Sequence, residues 1–253
     1  MKNTDKMLIS KLTEIGEKLE GTENIEAAEK ELHAVLDSIV GDYKDPDKVD
    51  RYRFEKEKAM DVFAVGETIT LCKSRKEDRA DYIKLNKENT IMPRAFEMEG
   101  FEDMLWDDMH EEKAFYTTIR RKFDDVYMGY CGIKNSQKDE LELAVEILKE
   151  HHGHAYGKQA LTLFMCTVKE MTGISRFKTL VDGENIASQK MCEACGGVPS
   201  GIAEHLLHDK EYMEEYEREN VGEVTQLMRE VAAKFCVQPE KLLTHVLVYR
   251  FEI

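Results

Sequence analysis

Hydrophobic residues in the N-terminal part of the chain recur with the period of an α-helix. One apolar stripe is formed by Leu8, Leu12, Ile15 and Leu19. After a break at Gly21-Thr22, a second stripe comprises Ile25, Ala28, Leu32, Val35 and Ile39. A third helix is predicted from Asp47 to about Val65, with an apolar side formed by Val49, Tyr52 and Phe63. Such stripes need a surface that buries them, so residues 1–65 are predicted to form a helical extension packed on the rest of the protein.

From Gly66 onward the pattern changes to strands and shorter helices. The stretch GETITLCKS alternates like a strand, and RKEDRADYIKLNKEN returns to a helical pattern. An acidic stretch from Met92 to Lys113 is predicted to be irregular. Three strands are then predicted, with AFYTTIRRKF and DVYMGYCGIKN as an antiparallel pair and LELAVEIL after them.

Helices and strands alternate more regularly in the remainder of the chain. A long apolar helix is predicted over ALTLFMCTVKEMTG, a strand over RFKTLVDGEN and a short helix over ASQKMCEACGG. A weak strand near Val198 to Leu206 precedes one long charged helix that begins at Asp209, and LLTHVLVYRFEI is the last predicted strand. Hairpins followed by strand–helix alternation predict an α/β (α+β) protein with a mixed sheet.

Composition and charge limit the classes of binding partner and the cellular compartment that we expect for this protein. The 253 residues include 51 acidic and 36 basic side chains, a formal net charge of −15. Nucleic-acid binding needs a clustered basic face, which the sequence lacks, so a cationic or amine-bearing partner fits better. The stretch MKNTDKMLIS lacks the apolar run of a signal peptide, and no apolar stretch approaches the roughly 20 residues that cross a bilayer. The six cysteines lie in apolar or helical patterns, so we expect a reduced, cytoplasmic protein with no membrane segment.

The stretch HHGHAYGKQAL, residues 151–161, lies between a predicted strand and a predicted helix. Gly153 and Gly157 permit the backbone to turn its N–H groups toward one point, and the following helix adds its unpaired N-terminal N–H groups. A pyrophosphate is the natural ligand of such a turn. Glycine-rich turns are also common without any ligand, so the residues alone leave an ordinary tight turn as an equal alternative.

The segment LELAVEILKEHHGHAYGKQAL resembles the coenzyme-binding motif of the GNAT superfamily of acetyl-coenzyme A-dependent N-acetyltransferases. That motif is a strand followed by Arg/Gln-x-x-Gly-x-Gly/Ala and a helix, and residues 152–157 correspond to it. His152 replaces the Arg or Gln, and Ala155 replaces the first glycine, which is expected to weaken pyrophosphate binding because Ala restricts φ. The resemblance implies that acetyl-coenzyme A is bound by Ile147, Leu148, His152, Gly153, His154, Ala155, Tyr156, Gly157 and Lys158.

A second segment, NIASQKMCEACGG, is similar to the family's Asn-x-x-Ser-x-x-Leu-Tyr-Glu-x-x-Gly-Phe motif. Asn185 and Ser188 agree with that motif and are implied to belong to the coenzyme site, whereas Cys192 replaces the tyrosine and Gly197 the phenylalanine. The strand order resembles the ribosomal-protein N-terminal acetylase-like branch. The resemblance implies a GNAT domain over residues 66–253, with a mixed, mostly antiparallel sheet flanked by helices and a helical insertion at about residues 209–234.

The reaction implied by the resemblance is attack of a primary amine on the acetyl thioester, for which a base must accept a proton. Glu142 lies ten residues before His152, where many family members carry the base, and Glu146 on the same strand face is the second candidate. A backbone N–H near Ile147 is implied to polarise the thioester carbonyl. Cys192 could protonate the leaving thiolate, because a thiol has a pKa of about 8.5. An exposed Glu142 without a catalytic role, and departure of the thiolate without a donor, remain open alternatives.

Two residue clusters allow other chemistry. His151, His152 and His154 cannot easily face one ion across a glycine turn, and no carboxylate or cysteine has ligand spacing beside them, so no metal is predicted. Cys192 and Cys195 form a C-x-x-C motif that lacks the second pair of a zinc site. A coenzyme A-binding module without catalysis and a thiol redox protein therefore remain alternative functions.

The acidic stretch is predicted to face the amine acceptor. Around Trp106 it concentrates Glu97, Glu99, Glu102, Asp103, Asp107, Asp108, Glu111 and Glu112. In the family this part of the chain borders the acceptor side of the cleft, where carboxylates would attract a polyamine, an aminoglycoside-like compound or a basic peptide N-terminus. The alternative is a solvated acidic loop. The sequence leaves open whether the N-terminal helices cap this cleft or form a homodimer.

Overall fold

The computed structural model describes residues 7, 10–14, 16, 54–90, 93–137, 140–204 and 208–253. Within its N-terminal part, residues 7, 10–14 and 16 are helical, as the first apolar stripe predicts. The helix predicted from Ile25 to Ile39, and the beginning of the one predicted from Asp47, lie outside the described residues.

The segment before Gly66 ends in a strand. A short helix, α1 (Glu55–Lys58), is followed by β1 (Val62–Val65), which pairs antiparallel with β2 (Ile69–Cys72). The prediction of a helix up to about Val65 is therefore wrong after Lys58, because residues 59–61 are not helical and Val62–Val65 is a strand. The β-branched ends of VFAV and the turn at Gly66 favour a hairpin, whose pairing satisfies the backbone groups of both strands.

The acidic stretch is more ordered than predicted. After α2 (Arg79–Asn89), a 3₁₀ turn (Pro93–Glu97) and a helix, α3 (Phe101–Asp108), occupy the region that the sequence indicates to be irregular. Phe101 and Leu105 lie one helical turn apart on the partly buried side of α3, and Leu105 packs on the cluster that contains Tyr82. This tertiary contact stabilises the helix. Its apolar positions are hard to recognise in the sequence because charged residues surround them.

The three central strands follow the prediction. They are β3 (Phe115–Arg121), β4 (Tyr127–Ile133) and β5 (Leu141–Ile147), and each pairs antiparallel with its predecessor. The long apolar helix is α4 (Tyr156–Thr172), which buries Phe164 and Val168. It is followed by β6 (Arg176–Val181), α5 (Ile186–Ala194) and β7 (Val198–Ala203).

The charged segment that begins at Asp209 is two helices rather than the predicted single one. They are α6 (Lys210–Glu219) and α7 (Gln226–Phe235), separated by a 3₁₀ turn (Val221–Glu223). The hydroxyl of Thr225 accepts a hydrogen bond from the Met228 N–H at 3.1 Å, which caps α7 and ends the turn. The last strand, β8, runs over Val246–Glu252.

Eight strands form one sheet with the order β1-β2-β3-β4-β5-β6-β8-β7. Neighbours from β1 to β5 are antiparallel, and β5 pairs parallel with β6. The predicted fold class, a mixed and mostly antiparallel sheet flanked by helices, is confirmed. Every helix in the described part of the chain is too short or too polar to span a membrane.

The chain divides into two compact units. One unit comprises Lys48–Thr179, Lys190–Val198 and Arg250–Ile253; the other comprises Met1–Asp47, Leu180–Gln189 and Pro199–Tyr249. In the latter, the Lys11 ammonium lies 4.1 Å from the ring centre of Tyr212, so the N-terminal segment contacts α6. The predicted division into residues 1–65 and 66–253, with an insertion at 209–234, remains a prediction.

Candidate functional site

The loop between β5 and α4 bends sharply twice. A 3₁₀ turn (Lys149–His151) follows β5, and then Gly153 has a φ of 81° and Ala155 a φ of 58°. Both values lie in the left-handed region, which is costly for a residue with a Cβ, by about 1–2 kcal/mol. Ala155 therefore adopts the conformation that suits the glycine of the family motif, although it carries a Cβ. A Cβ added at Gly153 would meet no atom within 4 Å, so the space beside this loop is open.

The amide groups of this loop are available to a ligand. The first backbone hydrogen bond into α4 runs from the Gln159 N–H to the Ala155 carbonyl at 3.0 Å. Within the described residues 140–204, the N–H groups of residues 153–158 have no acceptor. Unpaired N–H groups at the start of a helix carry partial positive charge and bind phosphate oxygens. The arrangement is a candidate pyrophosphate cradle.

The histidines of the loop bond to its backbone. The Nε2 atom of His152 donates to the Ile147 carbonyl at 2.8 Å, and Nδ1 of His154 donates to the His152 carbonyl at 2.8 Å. The ring of His154 also stacks on Tyr156, with centroids 5.5 Å apart. These contacts fix the end of β5 and the loop. Across the part of the chain that the structure describes, no group of three His, Cys, Asp or Glu residues could hold a metal ion.

Strands β5 and β6 pair over a short region. Their backbone pairing covers Leu141 with Phe177 and Glu142 with Lys178. At the next position the Thr179 hydroxyl donates to the Leu143 carbonyl at 3.1 Å. The rest of β5, Ala144–Ile147, pairs with β4 on its other side, so this edge of β5 is open to an extended ligand.

A glycine in β4 permits the close approach of β4 to the end of β5. A Cβ added at Gly129 would lie 2.0 Å from the Glu146 carbonyl oxygen and 3.0 Å from Cα of Ile147. Sequence analysis did not single out Gly129. The signal for it is a glycine inside a strand pattern, which often marks a close backbone approach.

The two candidate bases differ in their partners. Glu142 is 9% exposed, and its Oε1 atom lies 2.6 Å from Nζ of Lys134. Glu146 is half-buried beside the open edge of β5; its Oε1 accepts from the Tyr130 hydroxyl and its Oε2 from Nδ2 of Asn89, both at 2.8 Å. The catalytic role of Glu142 remains a prediction, and the ion pair with Lys134 would have to open for it.

The cysteines of the C-x-x-C motif are free thiols in a buried setting. Cys192 is 1% exposed, and burial raises its pKa to about 12, with smaller contributions from Cys195 and Glu193. Burial also raises the pKa of Cys195, whose Sγ accepts from the Thr162 hydroxyl at 3.6 Å. Reactive and redox-active thiols have lowered pKa values. The environment thus disfavours both proton donation by Cys192 and thiol redox chemistry, although the donor role remains a prediction.

Asn185 and Ser188 form the start of α5. The Asn185 side-chain oxygen accepts a hydrogen bond from the Ser188 N–H at 3.0 Å, which caps the helix. The backbone carbonyl of Asn185 accepts from the Gln189 N–H, also at 3.0 Å. This motif therefore has a structural role in the chain, and its part in coenzyme binding remains a prediction.

Gln159 is a further residue at the site that sequence analysis did not identify. Its Oε1 atom accepts hydrogen bonds from the backbone N–H groups of Thr68 and Ile69, both at 3.1 Å. One side chain thereby joins the first turn of α4 to the start of β2. Lys158 and Thr162 beside it in the same helix are also polar, so the sequence gives no distinct local signal for this contact.

An aromatic cleft lies beside Tyr130 of β4. It has an internal volume of about 90 Å³, is partly open to solvent, and is lined by Tyr82, Asp108, Met109, Tyr116 and Tyr130. The ring of Tyr130 lies 5.3 Å from that of Tyr116 and 5.8 Å from that of Tyr82. Tyr130 is paired with Glu146 in the β4–β5 register, so the cleft and the open end of β5 share one wall.

The carboxylates of the acidic stretch have different surroundings. Asp103 pairs with Arg79 at 2.6 Å, and Glu102 pairs with Lys87 at 2.6 Å. Asp108 lines the aromatic cleft, and burial, followed by the nearby Glu111, raises its pKa. Of these carboxylates only Asp108 lines the aromatic cleft, and the location of the acidic stretch on the acceptor side remains a prediction.

Comparison with known proteins identifies a family that this chain matches. A family model described as an acetyltransferase (GNAT) domain matches residues 68–198, more than half of the 253 residues. The structure of RimL, described as a ribosomal L7/L12 alpha-N-protein acetyltransferase, is similar at 13% identity and a TM-score of 0.52, over 77% of this chain and 95% of that one. A GNAT-family acetyltransferase from Bacillus anthracis is similar at 11% identity and a TM-score of 0.51, over 75% and 97% of the two chains. These similarities show a common fold.

A search of curated proteins found no match to the sequence. The family model spans the loop of residues 153–158, the open edge of β5 and the acidic stretch. The chain belongs to the GNAT acetyltransferase family.

Proposed function

We propose that this protein transfers the acetyl group of acetyl-coenzyme A to a primary amine. The observation that carries the proposal is the row of unpaired N–H groups at residues 153–158, next to the open edge of β5. A coenzyme A molecule combines a pyrophosphate with an extended arm that ends in a thioester. The loop offers donors for the first part and the strand edge offers backbone groups for the second, so the residues fit this ligand.

Different residues in and next to the loop bind different parts of the coenzyme. In this proposal the N–H groups from Gly153 to Lys158 hold the pyrophosphate, and the Lys158 ammonium adds charge. Ile147 and Leu148 border the arm, and His152 keeps the Ile147 carbonyl in place through its 2.8 Å hydrogen bond. Asn185 and Ser188 are assigned to the site by the resemblance. The coenzyme itself supplies an activated acetyl group.

The amine needs a base that removes its proton, directly or through water. Glu146 is better placed than Glu142, because it lies at the open end of β5 and shares a wall with the aromatic cleft. Tyr130 and Asn89 hold its two oxygens at fixed positions, and each carboxylate oxygen retains a second lone pair for the amine. We therefore assign the base to Glu146, with Glu142 as the alternative. The burial of Cys192 supports departure of the thiolate without a proton from this thiol.

A coenzyme A-binding module without catalysis is the second candidate function. The observation that favours it is the pKa of about 12 at Cys192, where the family has a tyrosine. Calorimetric titration with acetyl-coenzyme A, followed by a thiol-release assay with a panel of amines, separates the two. Binding with thiol release supports acetyl transfer, binding without release from any amine supports the module, and no binding contradicts both.

The variant Gly153→Val tests the assignment of the loop. A β-branched side chain at a φ of 81° would block the approach of phosphate to the backbone, so acetyl-coenzyme A binding should be lost. Gly173→Val is the matched control, because Gly173 ends the same helix with a φ of 77° and equally open space. Both variants carry the same backbone strain. Normal coenzyme binding by Gly153→Val, or equal loss in both variants, would contradict the assignment.

A further inference from the structure

Three tyrosine side chains, Tyr82, Tyr116 and Tyr130, line a small cleft that is partly open to solvent. We propose that this cleft binds a cationic group of the acceptor amine, with Tyr82, Tyr116 and Tyr130 as an aromatic wall and Asp108 as the counter-charge. The link to acetyl transfer rests on the proposed function, whereas the binding of a cation does not. The substrate class that follows is a small aliphatic diamine or polyamine.

The aromatic wall is suited to a cation. Ring faces attract ammonium groups within about 6 Å, and the attraction increases where water is excluded. Burial raises the pKa of Tyr82 to about 12 and that of Tyr130 further, so both rings remain neutral phenols. In the described part of the chain, no lysine or arginine lies over any of the three rings.

Asp108 carries a negative charge that no described residue pairs with. Asp103 and Glu102 on the same helix form ion pairs with Arg79 and Lys87, and Glu111 pairs with Lys113 at 3.4 Å. Among the described residues Asp108 has no ion-pair partner, although Lys113 is close enough to lower its pKa slightly. Burial raises the pKa of this carboxyl although the residue as a whole is exposed, and a bound cation would favour its charged form.

The position of the cleft indicates that the substrate carries a second amine. Glu146, assigned as the base, is joined to the cleft by the Tyr130 hydroxyl at 2.8 Å. A reacting amine beside Glu146 would therefore leave the remainder of a short chain in the cleft, where a second ammonium meets Asp108. The cleft has an internal volume of about 90 Å³ and is partly open to solvent, so it admits one end of an aliphatic chain. A neutral monoamine would leave Asp108 unpaired and gain less.

Tetramethylammonium is the probe for this inference, because it is a cation that cannot be acetylated. The chain has a single tryptophan, and the ring of Trp106 lies 5.5 Å from that of Tyr82, so its fluorescence reports on the cleft. Tetramethylammonium should change the fluorescence of the full-length protein saturably. Tertiary butanol, of similar size and uncharged, should not. These titrations contain no acetyl-coenzyme A, so failure of the proposed function would leave their result intact.

Two variants locate the binding. Asp108→Asn should weaken tetramethylammonium by about fivefold or more, since it removes the counter-charge from a partly desolvated site. Asp103→Asn removes the same charge from the same helix at an ion-paired position and should change the affinity by less than about twofold. In the thiol-release assay, tetramethylammonium should compete with a diamine acceptor. The inference is overturned by no saturable signal, by an equal response to tertiary butanol, by equal weakening in the two variants, or by absence of competition.

Discussion

Ala155 is the residue at which the loop is under strain. It has a φ of 58° with a Cβ, one residue before α4 begins. Its neighbour Gly153 reaches a similar conformation at no cost, because glycine has no Cβ. The N–H groups of the loop are thus directed by the backbone alone, and the strain at Ala155 lowers the stability of the free protein without blocking the cradle.

Replacing Ala155 by glycine should relieve this strain. The left-handed conformation costs alanine about 1–2 kcal/mol, of which the greater freedom of glycine in the unfolded chain offsets roughly half. We expect Ala155→Gly to raise the melting temperature by about 2 °C and to bind acetyl-coenzyme A at least as tightly. Thermal unfolding and calorimetry measure both effects.

The matched control is Ala160→Gly, in the interior of the same helix. Ala160 is fully buried there, so glycine should lower the stability by about 1 kcal/mol or more. A lower melting temperature for Ala155→Gly would show that the left-handed alanine is not strained.

Single residues differ in how far the sequence predicts them. The turn between β5 and α4 was predictable, because the glycines that permit it affect only the local backbone. The partners of Glu142 and the burial of Cys192 were not, since Lys134 reaches Glu142 across a β-hairpin and Cys192 is buried by surroundings that its own helix does not specify. Sequence spacing therefore identifies candidate residues for the base or the acid. The electrostatic state of such a residue depends on contacts with residues that are distant in the chain.

At the scale of elements, the register of β4 on β5 shapes the open strand edge. Gly129→Ala would put a Cβ 2.0 Å from the Glu146 carbonyl oxygen, so the end of β5 must move. We expect a loss of about 2 kcal/mol or more in stability and weaker coenzyme binding by the folded fraction. Chemical denaturation and calorimetry measure these two effects.

Gly132→Ala is the comparison for this variant. Its Cβ would lie 2.2 Å from the Phe115 carbonyl oxygen, so the displacement falls on β3 instead of β5. A comparable loss of stability with nearly normal coenzyme affinity is expected. Equal coenzyme affinity in the two variants would mean that the end of β5 does not border the coenzyme.

The sequence patterns miss the elements whose conformation depends on contacts with other parts of the chain. The strand β1 was assigned to a helix because VFAV is short and follows a helical pattern, and its pairing with β2 decides its conformation. Helix α3 was hidden by charge, and the packing of its apolar side on the cluster of Tyr82 stabilises it. By contrast, β3, β4, β5 and α4 carry their own periodicity and were predicted.

At the scale of the whole molecule, the charge of −15 gives the protein a negative field that local ion pairs only partly cancel. Pairs such as Asp103 with Arg79 reduce the field at α3, and Asp108 is left to act at short range. The long-range field and this carboxylate act on the same substrate in different ways. The field raises the rate at which a cation arrives, and Asp108 raises the time for which it remains bound.

The salt dependence of acetyl transfer separates these two contributions. The screening length falls from about 30 Å at 0.01 M to about 8 Å at 0.15 M ionic strength, so attraction by the distant acids should largely disappear. We expect kcat/KM for a diamine to fall by about threefold or more over this range, and that for a monoamine to fall less. The variant Asp108→Asn should lower kcat/KM at every salt concentration while the slope persists, because the remaining acidic residues still supply the long-range field. Steady-state rates at a series of salt concentrations provide the measurement. A rate that is indifferent to salt, or a preference for anionic acceptors, would show that the acidic surface only solvates the protein and does not attract its substrate.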